Sequence, residues 1–239
     1  MKDQILKEYD FIDFGCSNGG SIEYACMKFA ASKGIGIDID PNKVEKAKAK
    51  GYHAILADVT KLNINECAKV VSFITMIHFL EHLQGFDLAE KCINSAVNLA
   101  RDFIYIKQPF FDADTYLFTK GFKFYWSDWN GHKYNMTSFD MFRILNRLKL
   151  QSQLKRFVFY GDSQVISSAD LQIHPLLSPV DQFHYDANKH LNKNEEINFN
   201  EAVYSQLEVF IAIEDNKTID YCVQKMGTRG VKLYDSMEI

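Results

Sequence analysis

Residues 13–20 read Asp13-Phe14-Gly15-Cys16-Ser17-Asn18-Gly19-Gly20, and this stretch decides the fold. It follows a short apolar run, Phe11–Phe14, and precedes a helical run over residues 21–31. Glycines at such a junction let backbone come close to a ligand, and the free N–H groups of the following helix suit a carboxylate or phosphate. A glycine turn alone is equally a plain tight turn. Two further acids change its weight. Asp38 ends a second apolar run in Gly36-Ile37-Asp38-Ile39-Asp40-Pro41, and Asp58 ends a third, residues 53–57, in Ala57-Asp58-Val59. Each aspartate taken singly reads as a helix cap or a solvated loop residue. Jointly, three acids close three successive strands, and the carboxyl ends of strands in an open parallel sheet line one crevice. There Asp38 can accept ribose hydroxyls and Asp58 can meet an adenine amino group.

Outward from this stretch, apolar strand runs recur over residues 70–76 and 103–107. Helical runs separate them: one opens at Pro41 and ends near Gly51, another covers residues 88–99. Proline suits the first turn of a helix and glycine its end. Near-continuous apolar strands alternating with helices predict an α/β fold, a Rossmann-like doubly wound and mostly parallel sheet with helices on both faces. An insertion follows the fifth strand over residues 108–135, rich in aromatics and holding both tryptophans. Thr137 predicts a cap for a helix to residue 148 with Phe139, Phe142, Leu145 and Leu148 inward. Two last strands fall at 153–160 and 206–213. Residues 167–198 are too long for an ordinary connection and read as a lid or as a solvated loop. Beyond residue 216 no period is visible. The whole chain, 1–239, reads as one domain with its cofactor-binding core at about 11–107.

The composition bounds the function. With 239 residues and 47% apolar content, a sizeable core is available. The net charge of −4 opposes general binding to nucleic acid. Five cysteines, without paired spacing, read as buried thiols in a reducing compartment, with Cys16, Cys26, Cys67 and Cys92 in or beside core elements. Residues 1–10 are polar, unlike a signal peptide, and no apolar run matches a membrane span. A cytoplasmic enzyme is expected.

At these residues the chain resembles the class I S-adenosylmethionine-dependent methyltransferases, over residues 11–148. Residues 13–20 resemble that family's acidic-x-Gly-x-Gly-x-Gly turn, with Ser17 where the middle glycine usually stands. Asp38 matches the ribose-binding acid and Asp58 the adenine-contacting acid. Ile77-His78-Phe79-Leu80-Glu81-His82-Leu83 resembles a Leu-Glu-His-Leu segment. The resemblance implies S-adenosylmethionine as cofactor, held by Asp13, Gly15, Ser17, Gly19, Asp38, Ile39, Asp58 and Val59. Met76 and His78 would flank its methionine end. It also implies seven strands, the last antiparallel. A dinucleotide could use Gly15-x-Ser17-x-x-Gly20 and Asp38, but it leaves Asp13, Asp58 and the Leu-Glu-His-Leu segment unexplained.

The acceptor is sought after the fourth and fifth strands. The insertion offers an aromatic wall in Phe122, Phe124, Tyr125, Trp126 and Trp129, together with Asp112, Asp114 and His132. Phe122, Phe124 and Trp126 read equally as a buried strand. His132 is the candidate catalytic residue, a general base for a hydroxyl acceptor, or else a structural histidine. His78, Glu81 and His82 share one helical face that His132 could complete as a metal cluster. The set resembles that of the small-RNA 3′-end 2′-O-methyltransferases, but His78 replaces their first glutamate and suits magnesium poorly; no metal is expected. A small molecule or a sugar is the expected acceptor. A metal-assisted RNA 2′-O-methyltransferase and a non-catalytic binding subunit on the same fold are the alternatives.

Overall fold

In the computed structural model, which describes residues 6–62, 68–180, 182–193, 195–227 and 230–238, five apolar strands alternate with helices through the first half of the chain. These are β1 (Phe11–Phe14), α1 (Gly20–Phe29), β2 (Gly34–Asp38), α2 (Pro41–Ala49), β3 (His53–Leu56), β4 (Val71–Ile77), α3 (Phe86–Leu99) and β5 (Ala100–Pro109). All four residues of β1 and all five of β2 are buried. That is why their sequences run apolar without alternation: both faces of the sheet are covered. β1 pairs in parallel with β2 and β4, β2 with β3, and β4 with β5.

The second half adds α4 (Asp114–Thr119), β6 (Phe122–Phe124), α5 (Ser138–Leu150), β7 (Arg156–Ser167), β8 (Ile173–Pro175), β9 (Asn198–Ala212), α6 (Lys217–Met226) and β10 (Val231–Asp235). The main sheet runs β10-β7-β9-β5-β4-β1-β2-β3. β9 enters antiparallel between β5 and β7, and β10 pairs antiparallel with β7. The sheet therefore has eight strands, one more than the expected seven. The extra edge strand lies in the tail that showed no period; an edge strand needs no alternating pattern when one side faces solvent.

Two apolar layers cover the sheet. One holds the inward residues of α3 and α5, among them Cys92, Ile93, Ile144 and Leu148. The other holds those of α1, α2 and α6, including Ile22, Phe29, Val44 and Ile219. On α5 the inward stripe is Met141, Ile144, Leu145 and Leu148, whereas Phe139 is 66% exposed. The Thr137 and Asp140 side chains cap this helix reciprocally, which starts it at Ser138 and turns Phe139 outward. Cys16, Cys92 and Cys222 are free and buried, and burial pushes each thiol up to about 12. Cys67 lies outside the described residues. No helix among the described residues is long and apolar enough to cross a membrane.

Candidate active site

The carboxyl ends of β1 to β4 open into a cavity of about 1080 Å³. Its lining includes Gly15, Ser17, Asp38, Ile39, Asp58, Val59 and His78. The turn after β1 is shaped by backbone. Gly15 has φ +76, and a Cβ there would fall 2.4 Å from the Phe79 ring. Ser17 takes φ +48, the left-handed region where glycine is usual. Its N–H donates to Asp38 Oδ2 at 2.8 Å, and Asp40 N–H donates to Asp38 Oδ1 at 2.9 Å. Asp38 thus ties the turn to the end of β2 while lining the cavity.

Three expected cofactor residues do not line this cavity. Asp13 is fully buried and accepts hydrogen bonds from Thr75 Oγ1 at 2.7 Å and from the Ser21 hydroxyl. Burial pushes its carboxyl up to about 7 against the pull of those bonds. Met76 is fully buried in the sheet. Gly19, at φ +91, caps α1 against the Tyr52 ring. Asp13 and Gly19 thus shape the turn itself, and Met76 packs in the core. Asp58 lines the cavity and is also a cap: it accepts Thr60 N–H at 3.0 Å and pairs with Lys61 at 3.0 Å.

Sequence reasoning passed over Lys107, which also lines this cavity. Its Nζ donates to Glu208 Oε1 at 3.0 Å and to Asp162 Oδ2 at 3.3 Å. Tyr105 OH donates to Glu208 Oε1 at 2.7 Å. Burial works to lower the Lys107 pKa, but Glu208, Tyr24 and Asp162 outweigh it and the net shift is upward. A lysine and a glutamate each isolated in an apolar strand were the available signal, since buried charges are rarely unpaired.

A second cavity, of about 410 Å³, adjoins the first, and His78 and His82 line both. Tyr125, Trp126 and Trp129 form its aromatic wall, and Glu81, His132 and Gln206 complete it. The 3₁₀ turn Leu80–His82 presents Glu81 and His82. His132 arrives from the insertion because Lys133 N–H and Tyr134 N–H donate to Glu81 O, at 2.7 and 3.2 Å. The His132 Nδ1–H donates to Trp126 O at 2.9 Å, and the His82 Nδ1–H to Gly131 O at 2.9 Å. In a neutral ring so held, Nε2 carries a free lone pair. Burial is the chief cause that lowers the His132 pKa, so the ring stays neutral at neutral pH. Asp112 and Asp114 line neither cavity. Asp112 accepts from Ser138 N–H and its hydroxyl, and Asp114 from Ser127 Oγ at 2.7 Å. Both acids fasten the insertion to α5 and to itself.

Three buried atoms on the second cavity have no hydrogen-bond partner among the described residues: Trp126 Nε1, Gln206 Oε1 and Glu81 Oε2. A buried polar atom left unmatched costs about 1–3 kcal/mol, so such a set marks a place built for a ligand.

Comparison with known proteins agrees with this fold. The family model for FtsJ-like methyltransferases matches residues 2–129. No curated protein sequence matches the chain. Among solved structures, the chain is similar to a SAM-dependent methyltransferase from Archaeoglobus fulgidus, at 15% identity and TM-score 0.55, covering 88% of this chain and 94% of that one. It is also similar to the YcgJ protein from Bacillus subtilis, at 11% identity and TM-score 0.53, covering 89% and 97%.

Proposed function

The chain belongs to the FtsJ-like methyltransferase family, and from that premise we propose that it methylates a hydroxyl of a small ring-shaped acceptor, a sugar or a sugar-like molecule. It is an S-adenosylmethionine-dependent methyltransferase on a Rossmann-like fold. The single observation that carries the acceptor class is the smaller cavity. It meets the cofactor cavity at His78 and His82, is walled by Tyr125, Trp126 and Trp129, and keeps an unspent donor on Trp126 and an unspent acceptor on Gln206. Aromatic faces with a few placed polar atoms suit the faces and hydroxyls of a sugar.

The cavity fits the cofactor. Gly15, Ser17, Asp38, Ile39, Asp58 and Val59 all line it: the first two would allow close backbone approach, Asp38 would accept ribose hydroxyls, and the other three would flank an adenine. His78, which lines the same cavity, would flank the methionine end. Asp13, Gly19 and Met76 support this cradle without touching it. The bound cofactor supplies an electrophilic methyl group on a sulfonium. The protein's own contribution is position, exclusion of water and activation of the hydroxyl. His132 is the catalytic residue: its free lone pair is where the acceptor hydroxyl is activated. Lys107, fixed by Glu208 and Asp162, keeps a positive charge on the lining of the cofactor cavity. A polynucleotide is disfavoured as acceptor by the net charge of −4 and by a cavity of about 410 Å³.

The test is a transfer assay with isotope-labelled S-adenosylmethionine across monosaccharides, small hydroxylated rings and an RNA oligomer. Mass spectrometry should find the label on a hydroxyl oxygen of a sugar or small ring. Label on RNA alone, or on nitrogen alone, overturns this acceptor class.

A further inference from the structure

Glu81 is 0% exposed and lines the aromatic cavity, yet its Oε2 has no hydrogen-bond partner among the described residues. No lysine or arginine lines that cavity, and Glu81 is the residue of fixed charge on its lining. We infer that the acceptor carries an ammonium group beside the hydroxyl that is methylated, as an amino sugar does, and that Glu81 binds that group. The inference rests on the methyl-transfer reading above and narrows its acceptor class.

A carboxylate withdrawn from water needs a cation or a full set of donors. Glu81 has part of that set. Its Oε1 lies 3.2 Å from Nδ1 of His78, an exposed ring, and no lysine or arginine among the described residues pairs with either oxygen. The missing donor has to come from a ligand. Of the three unpartnered atoms on this cavity, Glu81 Oε2 and Gln206 Oε1 accept and Trp126 Nε1 donates. An ammonium group brings three donors and a charge, whereas a hydroxyl brings one donor. The wall points the same way. Tyr125, Trp126 and Trp129 line the cavity, and aromatic rings attract a cation held within about 6 Å of their centres.

The spacing fits a particular arrangement of the two groups. A carboxylate oxygen of Glu81 and a ring nitrogen of His132 lie within 4.8 Å of each other. With a hydrogen bond of about 2.8 Å to each, an ammonium and a hydroxyl on neighbouring carbons of one ring can reach both at once. The amine held by Glu81 then sets which hydroxyl meets His132. The pairing also suits the base. Burial lowers the His132 pKa, and the Glu81 charge works to raise it. An ammonium on Glu81 cancels that pull and leaves the His132 lone pair to the hydroxyl. Because Glu81 has no exposed surface, a side chain must swing aside as the amine enters. His82 is the neighbour suited to do so: it is exposed, lies within the same 4.8 Å and is held through Nδ1 to Gly131 O.

Both tryptophans of the chain, Trp126 and Trp129, stand on this wall, so intrinsic tryptophan fluorescence reports on the cavity directly. The test titrates the full-length protein, saturated with S-adenosylhomocysteine in a chelating buffer, with matched forms of one ring. One series is glucosamine, glucose and N-acetylglucosamine; the other is galactosamine, galactose and N-acetylgalactosamine. In at least one series the amino form should bind roughly 10–100-fold more tightly than both neutral forms, the scale of a hydrogen bond to a charged group. Glu81→Gln should erase that preference, and its S-adenosylhomocysteine affinity shows whether it is folded. Should that variant not fold, the contrast between amino and neutral forms on the unmutated protein still decides. Neutral forms that bind as tightly as the amino form in both series overturn the inference and leave the sugar reading standing. An amino preference that survives in folded Glu81→Gln also overturns it. If no form in either series changes the fluorescence while S-adenosylhomocysteine binds, the inference and the sugar reading both fail and the cofactor assignment stands.

Discussion

Lys107 and Glu208 stand opposite each other in the register of β5 and β9, and their side chains meet at 3.0 Å behind the cavity that Lys107 lines. Glu208 is 3% exposed, so its charge depends on this partner and on the Tyr105 hydroxyl. Removing one member of a buried pair leaves the other uncompensated, at about 3–5 kcal/mol. Glu208→Gln should fall at the low end of that range, because Asp162 still reaches Lys107. Urea denaturation of Glu208→Gln, Lys107→Met and the double variant checks this. The double variant should lose clearly less than the sum of the singles. Strict additivity would show that the two groups do not depend on each other.

Asp38 holds the N–H groups of Ser17 and Asp40 and faces the cofactor cavity. Asp38→Ala should weaken S-adenosylhomocysteine by roughly 1–3 kcal/mol, read by calorimetry. An unchanged affinity would place the ribose elsewhere.

Gly15 is constrained twice, by φ +76 and by the Phe79 ring 2.4 Å from where a Cβ would sit. Gly15→Ala should cost about 1–3 kcal/mol from overpacking alone, with left-handed strain added. Adding Phe79→Ala should recover the crowding but not the strain. Thermal or urea melts of the single and double variants separate the two.

His174 is 1% exposed, packs at a tilt against His190 with ring centroids 4.2 Å apart, and has no hydrogen-bond partner on either ring nitrogen among the described residues. Burial, then the charges of His190, Lys193 and Lys123, push its pKa down to about 4. A histidine depressed in the folded state binds fewer protons than the unfolded chain does. Stability should therefore fall as pH drops from about 6.5 toward 4, and this contribution should be level above that window. His174→Phe should flatten the difference. If the two melting curves run parallel from pH 7 to 4, His174 carries no such penalty.

These cases show which features were legible in the sequence. The glycine turn, Asp38 and the alternation of β1 to β5 with helices are local, and short-range chemistry fixes them. Asp58 was legible as a strand-end acid, but only the fold shows that it caps its own turn while lining the cavity. Asp13 has the expected place in the chain, yet burial spends it on Ser21 and Thr75. The pairing of Lys107 with Glu208 could not be read locally, because it depends on β9 entering antiparallel beside β5. For the same reason Trp126 and Gln206 could not be placed in one cavity. The insertion looked acidic at Asp112 and Asp114, and both acids turned out to fasten it in place.

In the proposed function the cavity lined by Trp129 and Gln206 receives the acceptor, and His132 activates it there. The direct measurement is turnover of His132→Ala on the acceptor identified by labelled methyl transfer, set beside its affinity for S-adenosylhomocysteine. Loss of the activating lone pair should lower turnover by about 10²–10⁴-fold and leave that affinity near its original value, since His132 does not line the cofactor cavity. Near-normal turnover by a folded His132→Ala protein would contradict the claim.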